Sequence, residues 1–382
     1  MRKSTKQAAT ACPHRPPCPG CPSFGRTGLA PEPHDTLVRL AERTGAALLP
    51  LVASPRLAFR HRARLAVRGR TSSPKIGIFQ RGSHRIADVP RCPIHHPLVN
   101  RVALAVRDSL RVTGTPPYAD APHCGLLRYV QIVVERASHR AQVVLVANDV
   151  APAAALPLAE RLRSTLEDDL HSLWWNGNPA RTNTILGPHW QCLHGGEAVR
   201  ETLGGAAVFF PPGAFGQANL PIADALVAAV HARVPTGARV AELYAGTGAF
   251  GLGLLQRGAT VAFNEISAHG LRGLRLGLDA LADAPRARGS MHAGPAAEHA
   301  DLTAGADVVI ADPPRKGLDA GVVEALGRRP PRRLLLVSCD AAALERDVLQ
   351  LAARGLSLQA LQPFEMFPYT AHAETLAVLE PR

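Results

Sequence analysis

From residue 205 to the end of the chain, short continuous apolar runs alternate with longer stretches whose apolar residues recur every three or four positions. Runs of the first kind suit strands buried on both faces, and stretches of the second kind suit helices with one buried side. The pattern predicts a helix over Leu220 to Val234, a strand at RVAELYA and a glycine-rich turn. Helices then alternate with strands at TVAFNE, DVVIADPP and RLLLVSC, and a helix at AAALERDVLQLAARG and a last apolar strand after Glu374 complete the series. Strict alternation predicts an α/β, Rossmann-like domain over 205–382 with a doubly wound, mostly parallel sheet. Upstream the texture differs. Short β-type runs (ARLAVRG, KIGIFQRGSHRIADV, LRYVQIVVE, AQVVLVAN, AAVFFPP) are parted by turn residues, with helical stretches near Leu98 to Thr113 and Ala151 to Leu173. That mixture predicts an antiparallel α+β central domain, assigned to 34–204, entered through a short helix at Asp35 to Thr44. Residues 1–33 are rich in Pro and Gly and carry no periodicity.

Composition adds a compartment and a partner. The 382 residues are 46% hydrophobic, enough for substantial cores, yet eighteen apolar residues never run together. The opening MRKSTKQAATACPHRPPCPGC lacks the apolar centre of a signal peptide, so a cytoplasmic protein with reduced thiols and no membrane contact is expected, a monomer by default. The net charge of +12 is unevenly placed: the first hundred residues hold 17 Lys and Arg against 4 Asp and Glu, the remainder 26 against 27. Arginines crowd the stretch RLAFRHRARLAVRGR, Arg56 to Arg70, and a polyanion such as RNA is the partner this predicts.

In a doubly wound sheet, ligands gather at the carboxyl ends of the strands, which makes the last residue of each strand a candidate. The first strand runs into ELYAGTGAF, where Gly246 and Gly248 allow a tight turn and close approach of a ligand. The second ends in Glu265, placed to accept the hydroxyls of a ribose. With Gly251 the turn has the full G-x-G-x-x-G spacing, which by itself admits S-adenosylmethionine or a dinucleotide. A later strand ends in ADPPRKGLD, whose two prolines hold the loop extended and present Asp312. Arg315 occupies the position where amino-group methyltransferases carry a stacking aromatic residue, which disfavours an exocyclic amine as target. The next strand delivers Cys339, a packing residue or a nucleophile. Glu374 precedes the last strand.

Taken together, FPPGAFGQAN, AELYAGTGAF, ADPPRKGLD, LLLVSCD and FEMFPYTAHAET resemble, in order and spacing, the uracil-C5 RNA methyltransferases, which form 5-methyluridine from S-adenosylmethionine. The resemblance covers nearly the whole chain and implies a class I methyltransferase domain. It further implies that Gln217, Tyr244, Glu265 and Asp312 contact cofactor or uracil, that Cys339 is the nucleophile, and that Glu374 is the general base. The chemistry needs these types. C5 of uracil becomes nucleophilic only after a thiolate adds to C6, and a base must then remove the C5 proton. One position departs from the family: Asp340 stands where Asn commonly follows the nucleophile, and a carboxylate there would raise the thiol pKa unless it pointed away or paired with a residue such as Arg346. A non-catalytic RNA-binding or assembly factor is the reading this departure keeps open.

Cys12, Cys18 and Cys21 form C-x5-C-x2-C, and Cys92 in RCPIHHP supplies a fourth thiol. Spacing alone suits zinc or an iron–sulfur cluster. The resemblance favours a [4Fe–4S] cluster held by residues 1–33 and 85–97, as in ribosomal RNA members of the family, and points to 23S ribosomal RNA ahead of tRNA as substrate. Many members begin with a small β-barrel RNA-binding domain, for which about sixty residues would be needed before Cys12; the resemblance is to the shorter ribosomal RNA enzymes, with the basic region from Arg56 to Arg91 holding RNA. Cys124 and Cys192 are expected to be structural.

Overall fold

The computed structural model describes residues 12–382, so the first eleven residues of the cysteine-rich segment lie outside the described part. A helix, α1 (Pro31–Thr44), and a two-residue strand, β1 (Ala47–Leu48), come first. The central region follows with β2 (Arg62–Arg70), β3 (Ser73–Phe79), β4 (Ile86–Asp88), α2 (Pro97–Thr113), β5 (Leu127–Val134) and β6 (Ala141–Ala147). It closes with α3 (Leu156–Leu166), β7 (Leu170–Gly177) and β8 (His189–Gly195). A hairpin, β9 (Val199–Leu203) and β10 (Ala206–Phe210), leads to α4 (Leu220–His231), β11 (Arg239–Leu243), α5 (Gly251–Gln256), β12 (Thr260–Glu265), α6 (Ala268–Asp279), α7 (Asp283–Arg286) and β13 (Gly289–Ala293). The last elements are β14 (Val308–Ala311), α8 (Ala320–Arg328), β15 (Arg333–Ser338), α9 (Ala341–Ala352), β16 (Leu356–Phe364) and β17 (Glu374–Pro381). No helix among the described residues is long and apolar enough to cross a membrane.

The carboxy-terminal sheet runs β1-β16-β17-β15-β14-β11-β12-β13. Its central strands β15, β14 and β11 are buried on both faces, which is why they read as unbroken apolar runs. Val308 and Ile310 of β14 face the core shared with α4, α5 and the β9–β10 hairpin, while Val309 and Ala311 face the core shared with α1, α8 and α9. Pairing is parallel from β15 to β13, and β17 is antiparallel to both β15 and β16. The chain leaves β11 for β12 on one side and returns to β14 on the other, so a switch point lies between β11 and β14.

The central sheet has the order β4-β3-β2-β5-β6-β7-β8, antiparallel except for β6 and β7, which are joined through α3. One face is covered by α2, which starts at Pro97, ends at Gly114 with φ 68°, and buries Leu98, Val99, Val102, Val106 and Leu110.

Several segments differ from the sequence expectation, which also gave no strand for β8, β9 or β16. The helix expected over Ala151 to Leu173 stops at Leu166, because LHSLWWNG pairs between β6 and β8 with Trp175 in the core. Strand β13 escaped notice because GSMHA is a half-exposed edge strand without an apolar run. Residues 31–48, grouped by sequence with the central domain, build onto the carboxy-terminal sheet: β1 pairs with β16, and Leu37 and Leu40 of α1 enter the α8–α9 core. The β9–β10 hairpin contributes Val199, Leu203 and Val208 to the opposite core, although Val199 and Leu203 fall before residue 205.

Candidate active site

The carboxyl edge of the larger sheet carries a cavity of about 710 Å³ lined by Gln217, Tyr244, Gly246, Glu265, Asp312, Cys339 and Glu374. Register brings the last three together. Asp312 follows β14 and Cys339 follows β15, two parallel neighbours whose pairing ends at Ala311 opposite Leu336. Antiparallel β17 then places its first residue at the same edge: Ser338 pairs with Thr375, so the next position on β15, Cys339, lies across from Glu374.

One side of the cavity is built from the β11 turn and the end of β12. Gly246 takes φ 56°, and a Cβ there would meet no atom within 4 Å, leaving room for a ligand against the backbone. Its N–H donates to Glu265 Oε2 at 2.7 Å, while Ser267 N donates to Oε1 at 2.6 Å, so the acid is oriented by the turn and the start of α6. Gly248 does not line the cavity. Its role is in packing: φ is 79°, and a Cβ would come within 2.6 Å of Leu274. Tyr244 is held at φ 58°, a conformation that a bulky residue adopts only under constraint, and its hydroxyl donates to Asp319 Oδ2 at 3.1 Å and accepts from Asp319 N at 3.2 Å.

Burial governs the acid–base groups. It pushes the Asp312 carboxyl up to about 7. Glu374, 2% exposed, is pushed well above the ordinary carboxylate range, first by burial and then by Asp312. The Cys339 thiol is pushed up to about 11 by burial, with Glu374 and Asp312 adding and Arg315 opposing. Asp340 is otherwise engaged: its Oδ1 accepts from Ala343 N at 2.9 Å and caps α9. Arg346, the pairing partner considered for it, binds Asp347 instead.

A family model described as tRNA (uracil-5-)-methyltransferase matches residues 300–382. An uncharacterized RNA methyltransferase of Protochlamydia amoebophila is 33% identical over 379 residues, which span 97% of this chain and 98% of that protein. Another, from Geobacter sulfurreducens, is 32% identical over 394 residues, 97% of this chain and 77% of the relative. The chain belongs to the S-adenosylmethionine-dependent uracil-C5 RNA methyltransferase family. Its fold resembles that of Pyrococcus abyssi tRNA (uracil-54, C5)-methyltransferase in complex with S-adenosyl-L-homocysteine, with a TM-score of 0.77 at 24% identity over 96% of this chain and 86% of that one.

This methyltransferase also contains site residues that sequence reasoning passed over. Glu242 on β11, 1% exposed, lies beside the turn after β11 and is pushed up to about 8 by burial, with the Gly251 and Phe250 amides opposing and Asp312 and Glu265 adding. A Cβ at Gly251 would collide with it, which explains that glycine without any dinucleotide. Its signal was the acid two positions before Tyr244. Asp319, Phe367 and His372 also line the cavity, and Arg315 Nη2 lies 3.4 Å from His372 Nε2.

Cys12, Cys18, Cys21 and Cys92 line a second cavity of about 410 Å³, which shares Arg315, Phe367 and His372 with the first. Burial pushes the Cys21 thiol up to about 12, and Cys92, Cys18 and Cys12 each add to the rise. Burial raises Cys18 and Cys92 as well, and a cluster of neutral thiols suits a cationic group that would draw them into the thiolate form. Among the described residues no three His, Cys, Asp or Glu side chains stand close enough to hold a metal ion as they are placed. Cys124 and Cys192, expected to be structural, are exposed and pack no core.

Proposed function

We propose that this chain transfers a methyl group from S-adenosylmethionine to C5 of a uridine in 23S ribosomal RNA, through a covalent Cys339–C6 adduct. The observation that carries this reading is the meeting of Cys339, Glu374 and Asp312 at one sheet edge, beside the Gly246 turn and Glu265. Gln217, Tyr244, Gly246 and Glu265 hold the cofactor, and Gly248 shapes their turn. Asp312, titrating near neutrality, can accept from uracil N3–H or donate to a carbonyl and so positions the base.

The thiol gives its proton to the ionised Asp312 carboxylate, which leaves Glu374 free for the later step, and sulfur then bonds to C6 as the C5=C6 pair moves into an enolate at O4. C5 attacks the sulfonium methyl and releases S-adenosylhomocysteine. Glu374, ionised for this step, takes the C5 proton, and the C–H pair reforms C5=C6 as the Cys339 thiolate leaves; the thiolate recovers its proton from Asp312, and Glu374 gives the C5 proton to solvent.

The four cysteines are assigned to a [4Fe–4S] cluster. Soft thiolates suit either iron–sulfur or zinc. The resemblance to the ribosomal RNA members of the family favours the cluster over zinc. Monomeric, cytoplasmic action belongs to the same reading. The tRNA alternative is supported by the description of the family model.

The test is incubation with RNA containing 5-fluorouridine and S-adenosylmethionine. Fluorine cannot leave C5 as a proton, so wild type is expected to accumulate a denaturation-resistant protein–RNA adduct that Cys339→Ala abolishes, and the trapped nucleotide names the substrate. Equal, negligible adduct from both would overturn the enzyme reading in favour of a non-catalytic RNA-binding factor.

A further inference from the structure

The loop of residues 365–373 joins β16 to β17 and ends at Glu374. Phe367 and His372 of this loop line both cavities, and Thr370 lines that of the cysteines. At its centre Tyr369 is held at φ 69° and is 7% exposed. Glycine adopts that backbone freely, whereas a tyrosine does so only where its surroundings over-determine it. Those surroundings are the cysteine segment and the stretch from Arg56 to Phe59. Tyr369 is buried with Cys21, Phe59 and Ile94, and its ring lies 4.8 Å from that of Phe24. Ser23 N donates to Tyr369 O at 3.1 Å, and the Tyr369 hydroxyl donates to Arg56 O at 3.1 Å. Within the loop, Thr370 Oγ1 donates to Phe367 O at 2.8 Å and accepts from His372 N at 3.2 Å, linking the anchor to both cavity-lining residues. By contrast, neither Gly246, Glu265, Tyr244 nor Cys339 lines the cysteine cavity, and Arg315 alone of the loop after β14 does.

We propose that Tyr369 is a positioning residue through which the cysteine segment holds the loop that carries the base, so that this segment governs removal of the C5 proton and not methyl transfer. The inference rests on the reading of Cys339 as nucleophile and Glu374 as base. It assigns the cysteine-bound group a structural task at a single catalytic step.

The test uses the full chain, purified without oxygen, with unmodified RNA that the wild type methylates. Two variants break the contact from its two sides: Tyr369→Gly keeps the backbone conformation, and Phe24→Ala leaves the loop sequence intact. Glu374→Gln runs beside them. Both contact variants are expected to accumulate methylated covalent adduct at least about tenfold over wild type, short of the roughly 10²–10⁴-fold that a positioned general base contributes. Amides of 366–373 are expected to exchange faster with solvent, while iron content and exchange over 244–250 stay at wild-type values. If Tyr369→Gly fails to fold, Phe24→Ala decides. Adduct in Glu374→Gln but free turnover in the contact variants, or loss of adduct together with iron, would overturn the inference and leave the base assignment standing. Wild-type turnover in Glu374→Gln would overturn the base assignment, and the inference with it.

Discussion

Cys339 and Asp340 are adjacent yet serve different elements. Backbone direction changes between the end of β15 and the start of α9, so the thiol enters the cavity while the carboxylate caps the helix. The sequence displayed the departure at Asp340 but not its direction, which depends on where α9 begins. Residue types at the strand ends were legible because the chemistry restricts them; burial of Asp312 and Glu374 was not, because it depends on walls contributed by distant elements. This burial has a consequence for stability. Asp312 titrates near 7 in the folded protein and near about 3.9 in an unfolded chain. Between those values the folded state retains a proton that the unfolded chain releases, so the site's contribution is greatest below pH 4 and is lost as pH rises through about 7. Asp312→Asn removes that loss. Relative to wild type, its Tm is expected to climb between pH 4 and pH 8 and to exceed wild type at pH 8, as thermal melts across that range would record. A constant difference would mean an ordinarily ionised Asp312.

At the scale of elements, the site depends on a junction between α9 and the loop after β14. Asp347, 2% exposed on α9, accepts from Leu318 N at 2.8 Å and pairs with Arg346, whose guanidinium also binds Lys316 O. These bonds pin the loop that runs from Asp312 to Asp319, and Asp319 in turn holds Tyr244. Asp347→Ala leaves the Leu318 amide unpaired in the core and is expected to cost about 1–3 kcal/mol in urea unfolding. Asp347→Asn, which keeps an acceptor, should cost less and retain more methylation; equal losses would show that the charge and not the hydrogen bond matters. Such junctions explain what the hydrophobic pattern could and could not supply. The alternation of β11, β12, β14 and β15 was legible because these strands are largely buried, whereas half-exposed β13 left no apolar run. The packing of α1 and β1 on the carboxy-terminal sheet was not, since a helix of ordinary amphipathicity carries no address for the surface it covers.

Across the whole molecule, the positive charge of the first hundred residues divides into two uses. Much of the Arg56 to Arg70 stretch is internal. Arg62 donates to Ala214 O at 2.8 Å, and its guanidinium is pushed down to about 9 by burial. Arg68 binds Asp120 through both Nε and Nη2 and stacks between Phe79, Tyr118 and Tyr129. These arginines join sheets and loops; a count of charges could not distinguish them from an RNA-facing surface. Arg70, Lys75, Arg81 and Arg85 differ. They are exposed at the β2–β3 turn, on β3 and in the β3–β4 loop, and among the described residues none has an acidic partner within ion-pair distance. Contacts between such charges and phosphates release counterions, so affinity falls with salt in proportion to their number. Replacing all four with Gln is expected to reduce the slope of log affinity against log salt by roughly 2 to 3 units, at about 0.7 per phosphate on single strands. Filter binding of substrate RNA at several salt concentrations measures it. Adduct formation at saturating RNA should stay at the wild-type level, because none of the four lines the catalytic cavity. An unchanged slope would place the RNA on another face and leave these four charges as solvated surface.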